Sequence, residues 1–485
     1  MKFLIHKGLG DMVQASSALG RHAVVIGGSM AGLLTARVLS DYFERVTILE
    51  RDRFPIAEPT PRKGMPQCTQ LHILLTRGRQ IIEDLFPGLE AELIDSGAAI
   101  LDMGADVEWL HPFGWATRFP SGFKALSFSR YILDWLIHRR LSQFSNIQIL
   151  ESSYVIGLLT NSDKTAVTGA IVRRRGSEHS EQVQQEELAA DLVIDASGYS
   201  SQAPKWLKAI GYDAPEETVI TTSMGYASRL YEIPADFHED WKGVYIQAAP
   251  PERTSMGVLY PIENNRWIVG VCATAPNRPS TDEAEFLEAL RNLPSPHIYD
   301  AVKEAKPATA VGIYHPPGNR LRHYERLNRQ PQGFIALGDS VCSFTPIYGQ
   351  GMTVAALGAV LLRQCLQETA LIERPSYFQK ELAKVNATPW IAATSQDSKY
   401  PSVKGLTQPP TPPEKAIGWY MDQLIRLTTK EPQVTLVLFN VFHMVQSSGA
   451  LFQPSIMFRV IQQLLTRSSA RMSSKTQIGV SSITS

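Results

Sequence analysis

"VVIGGSMAGLL", residues 24–34, carries an apolar run into a glycine turn and out again as an apolar helix. A strand is predicted over residues 22–26, a helix from Met30 to about Tyr42 and a second strand over Arg45 to Glu50, which together make a β-α-β unit. In the dinucleotide spacing G-x-G-x-x-G the three glycine places fall on Gly27, Ser29 and Gly32, so the middle glycine is replaced. The first glycine makes the tight turn, the second lets backbone approach a pyrophosphate, and the third lets helix and strand pack closely. Serine takes away one hydroxymethyl group of clearance, while Gly28 adds local freedom and the helix N-terminus still offers free N–H groups and a positive dipole end. Glu50 closes the second strand, where an acidic residue accepts hydrogen bonds from ribose hydroxyls, and Arg51 follows it. Gly27, Gly28, Ser29, Gly32, Glu50 and Arg51 are therefore the candidate holders of an ADP half.

The bulk composition narrows what else the chain can be. It has 485 residues, too many for one simple core, so two or three nested units are expected. Lys+Arg and Asp+Glu balance at 47 each, which gives no overall field toward nucleic acid. Cys68, Cys272, Cys342 and Cys365 are scattered without a C-x-x-C, which fits neither a disulfide framework nor a zinc site and points to a reducing cytoplasm. The first 21 residues lack a sustained apolar core and read as an extension. No stretch reaches the roughly 18 to 20 apolar residues of a membrane span, and "VTLVLFNVFHMV", residues 434–445, reads as a buried or interfacial helix.

Along the chain, a helix is expected over Leu71 to Phe86 and another over Ser129 to Leu141 with Ser129 as N-cap. Between them Trp109, Phe113, Trp115, Phe119 and Phe123 suggest an aromatic wall. Residues 147–194 alternate as strands with Arg173, Arg174 and Arg175 at a solvated hairpin tip, and residues 220–274 read as a second sheet. Asp282 to Leu293 is helical, and the prolines Pro409, Pro410, Pro412 and Pro413 mark a linker to a helical C-terminal unit. The resulting division is an extension (1–21), a dinucleotide-binding unit (22–100, 129–215 and 305–395), an inserted β unit (101–128 and 216–304), and a linker with helical C-terminal region (396–485).

A second motif lies some three hundred residues on. "GFIALGDSVCSFTPIYGQGMTVAAL" combines a buried strand, Gly338-Asp339, Pro346, Gly349, Gly351 and a long helix. With the first turn, it resembles the class A-like FAD-dependent monooxygenases. Further segments, "RKGMPQCTQLHILL", "PFGWATRFP", "SRYILDWLI" and "YPIENNRWIVGV", are similar to a subgroup that includes bacterial epoxidases of polyether and polyene biosynthesis, with squalene epoxidase a more distant relative. The resemblance implies an α/β fold: a Rossmann-like, glutathione-reductase-type FAD-binding domain with an inserted, mainly antiparallel β substrate domain. It implies that Asp339, following Gly338, hydrogen-bonds the ribityl chain, that Pro346, Gly349 and Gly351 face the isoalloxazine, and that Arg130 at a helix start contacts the cofactor. Backbone glycines suit a flat ring, and the following helix points its positive end at the pyrimidine edge. Asp195 and Gly198 in "DLVIDASGYSS" match the family's Asp-Gly motif in part, without its following arginine, and Asp195 reads equally as a structural cap. Arg62, Gln67 and His72 fall in a segment the resemblance places near the flavin, although a lone histidine on an apolar face is more commonly structural.

The activity so implied is insertion of one atom of O₂ into an apolar small molecule through a flavin C4a-hydroperoxide, with electrons from NAD(P)H or a partner reductase. No catalytic triad or phenol-deprotonating base is evident, which favours an apolar substrate, lodged between the second sheet and the aromatic stretch. The alternatives are an FAD-dependent reductase of isoprenoid double bonds and a non-catalytic FAD-bound protein; the halogenase signature Trp-x-Trp-x-Ile-Pro is absent from "WATRFP". A lipophilic substrate would also suit weak peripheral contact of the C-terminal helices with a membrane.

Overall fold

Residues 23–26 are almost wholly buried, and a strand buried on both faces belongs in the middle of a parallel sheet. The computed structural model describes residues 19–174, 184–368, 371–406, 409 and 411–466, and there Gly20–Ile26 is the central strand of five. Phe43–Leu49 and then Ile147–Leu150 lie on one side, Leu192–Asp195 and then Phe334–Ala336 on the other, every pairing parallel. The strand order reverses at Gly20–Ile26, the place where open α/β sheets bind their ligands. Helices Met30–Leu39 and Gly351–Glu368 pack on each other beside this sheet in one apolar core that also takes in Arg130–Leu141. An antiparallel meander of Ser153–Thr160, Val167–Arg174 and Gln184–Ala189 flanks it. Arg174 pairs with Glu186 near the tip; Arg175 lies outside the described residues.

The second sheet has seven strands, in the order Gly312–Tyr314, Met224–Glu232, Arg266–Thr274, Met256–Ile262, Gly243–Ile246, Val107–His111 and Gly114–Trp115. All pairings are antiparallel except that of Gly243–Ile246 with Val107–His111. Alternation divides its residues between two faces. Ala227, Tyr231, Val244, Leu259, Trp267 and Val269 face helices Glu283–Arg291 and His297–Val302. Met224, Tyr226, Tyr245, Met256, Tyr260 and Cys272 form the other face, which meets Leu71, Ile73 and Ile347.

Several elements differ from the sequence expectation. The helix foreseen from Leu71 starts only at Thr76; residues 71–75 are extended after a short 3₁₀ turn, Pro66–Thr69. Ser129 holds the N-cap position of Arg130–Leu141, but its side chain caps nothing, and its N–H donates to Glu263 Oε2 at 3.0 Å instead. Pro412 and Pro413, read as linker, are the first residues of helix Pro412–Leu427. Proline is tolerated there because the first N–H groups have no helical partner, and Glu414 accepts from the Thr411 N–H at 2.7 Å to close the end. The aromatic stretch is a docking seam: Trp109 and Phe123 both contact Phe439, Phe123 also meets His443, and the Arg426 guanidinium lies over Phe113. The C-terminal helices Pro412–Leu427 and Pro432–Phe442 thereby pack against one edge of the second sheet.

Candidate functional site

The first glycine turn is built as tightly as its spacing demands. Gly27 has φ +105°, and a Cβ there would lie 2.5 Å from the Ala196 carbonyl oxygen. A Cβ on Gly32 would lie 1.8 Å from the Gly27 oxygen, so helix and turn touch backbone to backbone. Gly28 is confined by the Phe54 ring and by Glu50, and its N–H donates to Glu50 Oε2 at 2.6 Å. Glu50 is thus fixed at the end of its strand, its other oxygen accepting from the Asp52 N–H at 2.9 Å. Ser29 stands at the helix N-cap in extended conformation without capping it. Its hydroxyl turns to Met65 Sδ at 3.0 Å and to Arg130 Nη2 at 3.5 Å, so the residue in the missing glycine's place directs its side chain to a neighbouring loop and helix. The first helical bond runs from the Leu33 N–H to the Ser29 carbonyl, which leaves the N–H groups of Met30, Ala31 and Gly32 without a main-chain partner, as at any helix start.

Two arginines flank this turn. Buried Arg62 donates to the Gly28 carbonyl at 2.9 Å, lies over the Phe54 ring and pairs with Glu50 and Asp134. Arg130, also buried, pairs with Asp134 one helical turn on. Arg51 reaches outward to the Gly64 carbonyl at 3.2 Å, holding the loop that brings Arg62 and Met65 over the turn. Asp134 escaped the sequence reading although its i,i+4 spacing from Arg130 was a usable signal. Met65 and Asp52 had none, since only tertiary folding brings them there.

The late motif closes on the same spot. Gly338 has φ +62°, and a Cβ on it would sit 2.6 Å from the Ala31 Cβ in the first turn of the early helix. Asp339 presents an accessible carboxylate from a position ringed by protein, with no hydrogen bond to it from the described residues. That partial removal from water pushes its pKa up to about 6, and the Arg130 guanidinium offsets part of the shift. Arg130 therefore stands between Ser29 of one turn and Asp339 of the other.

Pro346–Tyr348 makes a 3₁₀ turn, Gly349 is left-handed at φ +62°, and Gly351 opens the long helix with nothing within 4 Å of where its Cβ would be. Ile73 lies against Gly349, so the extended segment 70–74 runs beside this turn. His72 is held neutral, its pKa lowered to about 4 by burial and by Arg130, and its Nδ1 lies 2.9 Å from the Gln70 carbonyl. Gln67 accepts from the Gln70 N–H at 2.9 Å through its own backbone carbonyl. Asp195 is a structural cap: fully buried, it accepts from the hydroxyls of Ser197 and Ser201, each at 2.5 Å. Gly198 has open space beside it.

Two clearances a Cβ would fill, a helix start with unpaired N–H groups and a carboxylate open for a polyol chain fit an extended dinucleotide lying from Glu50 to Gly351. The model for the family described as "FAD binding domain" matches residues 21–371, a span that includes both turns. The chain belongs to that family. It is 34% identical over 354 residues to protein Rv3254 of Mycobacterium tuberculosis (strain ATCC 25618 / H37Rv), covering 71% of this chain and 73% of that one. Among solved structures, the flavin-dependent brominase Bmp2 superposes with a TM-score of 0.62 at 14% identity over 92% of this chain and 100% of its own. PqsL, a probable FAD-dependent monooxygenase from Pseudomonas aeruginosa, does so with a TM-score of 0.54 at 16% identity over 87% and 100%. At these identities the two likenesses establish the fold. The family match makes the chain an FAD-binding protein.

Proposed function

We propose that the protein is an FAD-dependent monooxygenase that transfers one oxygen atom of O₂ to an apolar small molecule, by epoxidation or hydroxylation. The reading rests above all on the approach of Gly338 to Ala31, with Arg130 acting on both Ser29 and Asp339, which brings the two glycine turns to one place. Gly27, Gly32 and the helix start would take the pyrophosphate, Glu50 the ribose and Asp339 the ribityl chain, in a Rossmann-like domain of the glutathione-reductase type. Arg51, at the rim, would screen the phosphates.

FAD, when bound and reduced by NAD(P)H or a partner reductase, supplies the oxygen activation. What this chain adds is placement and shelter. The segment 70–74 and the turn at Pro346–Gly351 border the inner face of the second sheet, where Tyr226, Tyr245, Met256 and Ile347 offer a wall of apolar and phenolic surface. Burial raises the Tyr245 phenol well above its ordinary pKa, so that side chain carries no charge, and burial and Arg130 keep His72 neutral. Such a site suits an uncharged substrate and excludes water that would divert the oxidant. The sheet would be the substrate domain inserted into the FAD-binding one.

The test is purification, absorbance, anaerobic titration with NADPH and NADH, and oxygen uptake with polyene, isoprenoid and aromatic candidates. A flavin spectrum, substrate-dependent oxygen consumption and a product one oxygen heavier are expected. A product two hydrogens heavier would favour an isoprenoid reductase instead, a brominated product with bromide present would favour the brominase chemistry named for Bmp2, and flavin that no donor reduces would favour a binding protein.

A further inference from the structure

The last described helix, residues 454–466, has more apolar surface than its own bundle uses. Ile456, Val460 and Leu464 pack inward with Leu424, Leu427, Val434, Leu438 and Leu451. Met457, Phe458, Ile461 and Leu465 are exposed by 44, 62, 52 and 65%. At about 100° per residue these four fall within an arc of about 100°, directly beside the packed arc. Arg459, Gln462, Gln463 and Thr466 occupy the remainder of the circumference. Half of a broad apolar surface is thus buried against the bundle and the adjoining half faces outward as one continuous stripe.

Charge decides what fits this stripe. The whole chain is balanced, yet no Asp or Glu follows Glu431, while Arg459, Arg467, Arg471 and Lys475 do. Arg459 is satisfied by Glu431, but the other three lie in the sequence that continues directly from the striped helix. A second copy would cover the stripe but offer these cations no acidic partner from the same region, since no Asp or Glu follows Glu431. An apolar stripe beside acid-free basic sequence is instead the pairing that an anionic bilayer surface attracts: acyl chains take the stripe, headgroups take the cations. No helix among the described residues is long and apolar enough to cross a membrane. We infer that helix 454–466 is a peripheral docking surface for anionic lipid, lying in the plane of the interface. This inference is independent of the proposed oxygen chemistry. If that chemistry holds as well, the docking would set the edge of the substrate sheet, where Phe439 and His443 meet Trp109 and Phe123, close to the phase in which apolar substrates dissolve.

The experiment is sedimentation of the full chain with vesicles of phosphatidylcholine alone and of phosphatidylcholine with about one third phosphatidylglycerol. Binding to the anionic vesicles is expected to be at least about tenfold tighter than to the neutral ones and to weaken when salt is raised from about 0.1 to 0.5 M. The double variant Phe458→Ser, Ile461→Ser should lose at least about tenfold of that binding with an unchanged unfolding temperature, since both side chains are exposed. Ending the chain after Thr466 should abolish the preference for anionic lipid. Vesicle binding that is absent, or unchanged in the double variant, overturns the inference. So does a concentration-dependent dimer that the double variant breaks, which would make the stripe a contact between copies.

Discussion

Gly32 and Asp339 carry the two most exacting demands on single side chains. A methyl at position 32 would meet the Gly27 carbonyl oxygen at 1.8 Å, and because both partners are backbone neither can turn aside. Gly32→Ala should therefore prise the early helix off its strand, lowering stability by about 3 kcal/mol and abolishing FAD uptake, as read by denaturant unfolding and flavin fluorescence. Asp339 makes a different prediction, through pH. With its pKa at about 6, it is mainly protonated at pH 5 and mainly ionised at pH 7. A ribityl hydroxyl donates best to the ionised form, so FAD should bind about tenfold more tightly at pH 7 than at pH 5. Asp339→Asn should bind weakly and lose the pH dependence; titration calorimetry at the two pH values checks both.

Among the elements, the turn Pro346–Tyr348 is the one whose support came from an unforeseen quarter. Tyr348 donates to Asp397 Oδ1 at 2.9 Å, and Asn319 and Thr345 donate to Oδ2 at 2.6 and 3.3 Å, all in the interior. Asp397 ends the long helix Pro375–Asp397, so that helix braces the turn proposed to face the flavin ring. Asp397→Ala leaves three buried donors unmatched and should shift the visible flavin absorbance and weaken FAD binding, while Asp397→Asn, which keeps an acceptor for Tyr348, should recover most of the spectrum. Glycine spacing and apolar runs made both turns and the buried strands Gly20–Ile26, Phe43–Leu49, Leu192–Asp195 and Phe334–Ala336 readable, because backbone clearance and burial are local demands written into consecutive residues. Asp397 was unreadable for the opposite reason: an aspartate at a helix end is ordinary until folding delivers a tyrosine to it. The aromatic stretch was legible only in part, since aromatic density states that something packs there but not what. The start of helix Thr76–Leu85 was missed because its first N–H groups are satisfied by a residue from the far end of the chain.

That distant contact governs how the units hold together. The Thr76 N–H donates to His443 Nδ1 at 3.2 Å and the Arg77 N–H to the His443 carbonyl at 3.2 Å, while His111 Nε2 meets Thr428 Oγ1 at 2.9 Å. Both histidines are held neutral with pKa values of about 4, by burial first and then by Arg79 for His443 and Arg426 for His111. Their folded values lie below the ordinary 6.5, so the unfolded or undocked chain binds more protons between pH 6.5 and 4, and stability falls as pH falls through that window. The loss is on the order of 3 kcal/mol for each histidine. Acidification to pH 5 should therefore accelerate proteolysis of the C-terminal helices, and His443→Ala should show the same sensitivity already at pH 7; fragment patterns at the two pH values settle it.

Thr76 and His443 are 367 residues apart, and Ala31 meets Gly338 across nearly as long an interval. A ribosome releases the first of these partners long before the second exists. For most of its synthesis the nascent chain carries one jaw of a clamp with nothing to bite against, and a message cut short before the late motif would yield a colourless fragment. Acquisition of the yellow cofactor would thus report that translation has passed the late motif.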